Sequence, residues 1–120
     1  MENNGWIEAS RSPLAAGIEP DTTILVWHVY QGVLAVPCSR INSNRFYTHW
    51  QPIRDSEWIT SEDRMPTKAD ADAQNCVISW NRFDEIGVTG WHRFGEDHTL
   101  LRWQTPPKPP DNYRELRIKA

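Results

Sequence analysis

The sequence predicts a mostly β protein: two pseudo-symmetric three-stranded antiparallel meanders packed around one shared core, with a β-rich α+β arrangement as the alternative. Three observations lead there. First, the chain repeats itself. Trp6-Ile7 recurs as Trp58-Ile59, Arg11-Ser12-Pro13 as Arg64-Met65-Pro66, Trp50-Gln51 as Trp103-Gln104, and Trp27 and Trp80 close similar apolar runs. The last three pairs share one spacing, and a period of this length marks a duplicated structural unit. Second, each unit holds short runs rich in β-branched and aromatic residues, which suit a pleated, half-buried surface. Third, helix-forming patterns are brief and are cut off by proline, of which the chain has 9.

The elements follow in order. Thr22–Val29 reads as a strand, Gln31-Gly32 as a turn, Val33–Pro37 as the returning strand and Arg45–Trp50 as a third strand. The second unit repeats the plan, with strands at Asn75–Trp80, Val88–Phe94 and His98–Trp103 and a turn region at Phe83–Gly87. Ser61-Glu62-Asp63-Arg64 caps at most a single turn before Pro66, and Lys68–Gln74 is a short helix or a loop. Thr105–Pro110 favours polyproline II, because each proline fixes its own φ and disfavours helix before it. Asn112–Ile118 reads as a final turn or two of helix. The organisation is therefore a first repeat unit at 1–57, a second at 58–110 and a C-terminal tail at 111–120, together one compact domain. A unit of this size without metal or disulfide buries too little surface to be reliably stable alone.

The chain has 120 residues, 38% hydrophobic and 24% charged, which excludes a disordered polar tail or a collagen-like fibre. A formal net charge of -3 makes nucleic acid an unexpected partner. The start, Met1-Glu2-Asn3-Asn4-Gly5-Trp6, has no basic or apolar leader region. The run Ile24–Val36 is too short and too polar to cross a bilayer. These features predict a cytoplasmic protein without membrane contact. In that compartment Cys38 and Cys76 read as two reduced thiols, with a single disulfide as the lesser reading.

The motifs resemble a small domain of unknown function from tailed bacteriophages and prophages. Its usual form is W-I-x-x-x-x-R-x-P near the start and T-H-W-x-P-L-P-x-P-P at the end. Trp58, Ile59, Asp63, Arg64, Pro66, Trp103, Pro106, Pro107, Pro109 and Pro110 carry the pattern in the second unit; Trp6, Ile7, Arg11, Pro13, Thr48, His49, Trp50 and Pro52 carry it in the first. The chain is thus similar to two tandem copies of that domain. It departs from the pattern twice: the first unit lacks the proline tail, and the second has Leu101-Arg102 where Thr-His is expected. The resemblance implies a phage-type setting, hence a host-cell cytoplasm, and brings no reaction or cofactor with it.

Catalytic signatures are missing. No serine sits in a G-x-S-x-G elbow, and there is no glycine-rich phosphate loop. His28, His49, His92 and His98 lie on different predicted strands without the short spacings of a zinc site. Asp70–Asn75 has Asn75 where a calcium loop needs glycine and Asn81 where it needs a carboxylate. The expectation is a protein that is not an enzyme and uses no cofactor or metal.

The candidate binding residues are Trp91, Arg11, Arg64, His49 and Arg102. Most of the 7 Trp read as core or edge-sealing rings, since one buried Trp covers on the order of 200 Å². Trp91 stands apart because Val36, set against it in register, is not aromatic, which makes it the candidate partner-facing ring. Arg11 and Arg64, repeated just before Pro13 and Pro66, either stack on a Trp or tie the N-terminal segment to a carbonyl or carboxylate, or else clamp an anion or carboxylate of a ligand, twice by symmetry. His49 and Arg102 occupy the position where the two units differ.

Three functions compete. The first is an accessory module that engages a host or phage protein, for instance to inhibit a host defence or nucleic-acid enzyme; aromatic excess and acidic balance suit a compact binder. The second is a pocket of Trp and Arg for a nucleotide or other small anion. The third is single-strand nucleic-acid binding by ring stacking, which the acidic balance disfavours. Unpaired sheet edges leave a homodimer open.

Overall fold

A computed structural model describes residues 3–119. Met1 and Glu2, with which the leader reading and the first unit begin, lie outside the described residues, as does Ala120 at the end of the expected tail. The fold is mostly β, with eight strands in two antiparallel four-stranded sheets and one helix.

The chain divides into two compact units, one running to Ile53 and resuming at Pro107, the other spanning Arg54–Pro106. The proline strap is therefore split: Pro106 ends the second unit, and the chain from Pro107 belongs to the first.

The first unit contains β1 (Ile7–Glu8), β2 (Thr23–His28), β3 (Gly32–Pro37) and β4 (Tyr47–Pro52), in the order β1-β4-β2-β3. The second contains β5 (Ile59–Thr60), β6 (Cys76–Asn81), β7 (Ile86–Gly90) and β8 (Leu100–Gln104), in the order β5-β8-β6-β7. Each sheet adds a two-residue strand, at the W-I motif, to the three expected. The third long strand pairs with the first rather than with the second. The segment after β3 explains this. Pro37 ends β3, a short 3-10 turn follows at Cys38–Arg40, and the loop beyond it is long enough to carry the chain across to the far side of β2.

The two sheets have matching registers. Trp27 lies opposite Val33 and His49, and Trp80 opposite Ile86 and Arg102; each sheet slips register just after that tryptophan, at Trp27/His28 and at Trp80/Asn81. Both hairpins are closed by the residue after the tryptophan. His28 Nδ1 accepts from the Tyr30 and Gln31 N–H groups at 3.1 Å, and Asn81 Oδ1 accepts from Phe83 N–H at 2.9 Å and Glu85 N–H at 3.1 Å. Gly32 at φ 79° and Asp84 at φ 62° supply the left-handed backbone that each turn requires.

The repeated motifs are latches. Trp50 Nε1 donates to Arg11 O and Trp103 Nε1 to Arg64 O, both at 2.8 Å. Pro13 and Pro66, both buried, hold the turn that points those carbonyls inward. Gln51 Nε2 donates to Asn4 O at 3.3 Å and Gln104 Nε2 to Arg54 O at 3.0 Å, which fastens the segment before each W-I strand.

Each unit has its own buried cluster. Ile24, Val26, Cys38, Ile41 and Trp50 form the first, with Leu34, Val36 and Tyr47 packed against it. Val77, Phe94, Leu100 and Trp103 form the second, with Ile59, Ala71 and Trp91 packed against it. The expected strand Val88–Phe94 ends at Gly90, and Trp91–Gly95 is a 3-10 turn that rolls Phe94 into this cluster. Lys68–Asp70 is a 3-10 turn under a Thr67/Asp70 capping box. The helix α1 (Tyr113–Lys119) forms where the sequence places one.

The strap closes the first unit. Trp6 Nε1 donates to Lys108 O at 2.7 Å, Asn4 Nδ2 donates to Pro109 O at 2.8 Å, and Asp111 N–H donates to Asn3 Oδ1 at 2.6 Å. Trp6 meets Trp27 edge-on at 6.1 Å, and Tyr113 meets the other side of Trp27 at 5.8 Å. In the second unit the matching ring, Trp58, lies 5.3 Å from Trp80, but its Nε1 is buried without an acceptor. The two indoles therefore respond differently to loss of the N–H. Trp6→Phe strands the Lys108 carbonyl, whereas Trp58→Phe removes an unsatisfied donor. Trp6→Phe is expected to destabilise by about 1–3 kcal/mol more than Trp58→Phe in denaturant unfolding; equal losses would show that the strap bond contributes nothing.

Candidate functional site

The residues singled out in the sequence do not converge. Arg64 is committed within its own unit: its guanidinium holds Asp70 through both nitrogens, at 3.1 and 3.3 Å, and lies over the Trp103 ring at 4.7 Å. That ion pair, with the Thr67 groups, keeps the Asp70 carboxyl below the usual carboxylate range. Arg11 is exposed and serves the fold through its carbonyl. Stacking and tethering, rather than a doubled clamp, are what Arg64 performs.

Trp91 is half-buried and sits against the second cluster, with His92 edge-on at 6.0 Å. Val36 is not its counterpart. Val36 faces Ile24, and the residue facing the equivalent Val77 is Thr89, so Trp91 corresponds to Cys38, which is buried. The ring takes over the core position of a smaller residue.

His49 and Arg102 occupy the same position and end differently. His49 is buried, with Nδ1 2.9 Å from Thr48 Oγ1, while Arg102 is exposed and lies over the Trp80 ring at 4.8 Å. Their surroundings account for this. In the first unit α1 runs along the face that holds Trp27, Tyr30 and Thr48. Tyr113 packs on Trp27, Arg117 lies 5.8 Å over Tyr30, and Leu116 and Lys119 share a cavity of about 280 Å³ with Val29, Phe46 and Thr48. In the second unit the same positions are Trp80, Phe83 and Leu101. Phe83 is 61% exposed and Leu101 45% exposed. Arg82 lies over Phe83 at 5.0 Å, and a cavity of about 90 Å³ is lined by Trp80, Arg82, Leu101 and Arg102. Two arginines stacked on two aromatic rings beside an exposed leucine make up an open patch. Sequence reasoning missed it, because Phe83 and Leu101 stand out only when set against their less exposed counterparts Tyr30 and Thr48.

The second difference lies on the cluster side of the sheets. In the first unit Val26 opposes Leu34, Ile24 opposes Val36, and His28 opposes Tyr47, with Phe46 beside them 5.4 Å from the His28 ring. The matching residues in the second unit are Ser79 opposite Gly87, Val77 opposite Thr89, and Asn81 opposite Leu100. Large side chains have given way to small or polar ones. A hollow of about 410 Å³ results, with Ser79, Gly87, Thr89, Thr99, Glu85 and Arg93 among its walls. Ser79 Oγ and Thr89 Oγ1 are 2.7 Å apart and satisfy each other.

Among the described residues no three His, Cys, Asp or Glu side chains gather as they would around a metal ion, and no helix is long and apolar enough to cross a membrane. Cys38 and Cys76 are free thiols, and burial pushes both pKa values up. Compared with known proteins, the chain matches no protein-family model, no curated protein and no solved structure.

Burial lowers the pKa of both His28 and His49; for His49 the Glu8 charge opposes the shift in part. The folded state therefore binds fewer protons than the unfolded chain over a window that opens near the ordinary histidine value and extends down to the folded one. Their contribution to stability is complete above about pH 7 and is lost as the pH falls through that window. Thermal unfolding followed by circular dichroism should give a Tm that drops between about pH 7 and pH 5. His28→Asn, which installs the cap that Asn81 provides in the other unit, should flatten that slope; an unchanged slope would assign it to other groups.

Proposed function

We propose that the chain is a non-catalytic accessory binding protein of the phage type its motifs resemble, and that it engages a host or phage protein through the second unit. One observation carries this reading. Tyr113 and Leu116 of α1 lie against Trp27 and beside Thr48 in the first unit, whereas in the second Leu101, at the Thr48 position, is 45% exposed and Phe83 is 61% exposed against 42% for its counterpart Tyr30. The composition suits a protein contact: Trp and Arg are enriched at the residues that dominate binding energy, and a charged side chain laid over an aromatic ring keeps its apolar stem in play. Arg82 and Arg102 are positioned to meet carboxylates on the partner, which fits an acidic host enzyme or defence protein poorly shielded at its surface. The cell interior is the setting this role implies. An anion-clamp function has less support, because Arg64 is already engaged by Asp70.

The test is affinity capture from host and phage-infected lysates with the wild-type chain and with Phe83→Ser/Leu101→Ser. Both positions are exposed, so the variant should keep its Tm within the small range of surface substitutions. A specific protein held by the wild type and lost by the variant is the expected outcome. A partner retained by the variant, or none captured at all, would remove this reading.

A further inference from the structure

The hollow of the second unit has features that packing alone does not require. Comparison of the two units supplies an internal control: the matching sheet of the first carries Val26, Leu34 and Val36 at the positions of Ser79, Gly87 and Thr89. The backbone does not demand the glycine. A Cβ placed on Gly87 would meet only Ser79 Oγ, at an ordinary 3.9 Å. A leucine there fits the fold, as Leu34 shows, and would bury apolar area that the present sequence forgoes.

The walls define what the space would accept. Glu85 Oε1 accepts from Asn81 Nδ2 at 3.0 Å, and Asp97 Oδ1 accepts from Thr99 N–H at 2.9 Å and Thr99 Oγ1 at 2.7 Å. The second oxygen of each carboxylate has no partner among the described residues. Arg93, in the same wall, makes no ion pair among the described residues and offers donors. Two carboxylates beside one guanidinium disfavour an anion, and the guanidinium disfavours a cation. Acceptors, donors and the hydroxyls of Ser79, Thr89 and Thr99 share the walls with Ile86, Val88 and Leu100. That mixture matches a ligand whose groups both donate and accept. A volume of about 410 Å³ falls within the range of small-molecule sites.

We propose that this hollow binds a neutral polyhydroxylated small molecule of one or two sugar rings. The site lies on the cluster side of the sheet and shares only Asn81 with the cavity beside Trp80 and Leu101. The experiment is an amide-resolved NMR titration of the full chain with glucose, galactose, mannose, N-acetylglucosamine and maltose at millimolar concentrations, and separately with inorganic phosphate. At least one sugar should shift the Gly87, Thr89 and Gly90 amides saturably. Ser79→Val/Gly87→Leu, which restores the residues of the first unit, should abolish those shifts while keeping the remaining spectrum. Arg93→Gln, at an exposed position, provides a second reading if the filled variant fails to fold; it should weaken binding about tenfold, the value of one lost charge-assisted hydrogen bond. Absence of shifts with every sugar, shifts that persist in the filled variant, an Arg93→Gln affinity equal to wild type, or a response to phosphate instead would each overturn the proposal.

Discussion

Each unit hangs on one hydrogen bond, from the indole N–H in the middle of its third long strand to the carbonyl of the arginine before a buried proline. The geometry is duplicated to the same distance. Its importance comes from burial: Trp50 and Trp103 are almost wholly enclosed, and an indole N–H enclosed without an acceptor loses its water at full cost. The acceptor lies outside the sheet. It comes from an irregular segment held by Pro13 or Pro66, and once that segment is fixed the W-I strand lies against the third strand in the only register the latch allows. Core, hairpin and edge are then built around a tryptophan that has one orientation.

On this common frame the two copies diverge in what fills it. The first unit is closed: its sheet face is packed with Val26, Leu34, Val36 and Tyr47, and the returning strap and α1 cover Trp6 and Trp27. The second is open in both respects, with a polar hollow where the first has apolar side chains and an aromatic–arginine patch where the first has a helix. Function in such a pair resides in the side chains set on the frame rather than in the frame itself.

Much of the frame was legible in the chain. The recurrence of W-I, R-x-P and W-Q, the hairpins around Gln31-Gly32 and Phe83–Gly87, and the closing helix all follow from local chemistry, because each is a short motif whose residues act together. The pairing of Arg64 with a ring and a carboxylate was one of two readings the residues permitted, and Asp70 decided between them. Trp91 was set against Val36 by register; the strand pairings put Thr89 at that position, the strand ends at Gly90, and the ring follows it into the 3-10 turn. That shift sets the half-buried ring against the second cluster.

The sequence by itself determined that there are two β units and which tryptophans and prolines punctuate them, since these depend on periodicity and on fixed backbone preferences. Tertiary structure alone decided that the last strand of each trio returns to its first strand, that the proline strap reaches back to Trp6, and that one unit is hollow where the other is full. Those outcomes are sums over side chains from strands far apart in the chain. A serine, a glycine and two threonines carry no signal singly, and become a space only when the sheet brings them to one face.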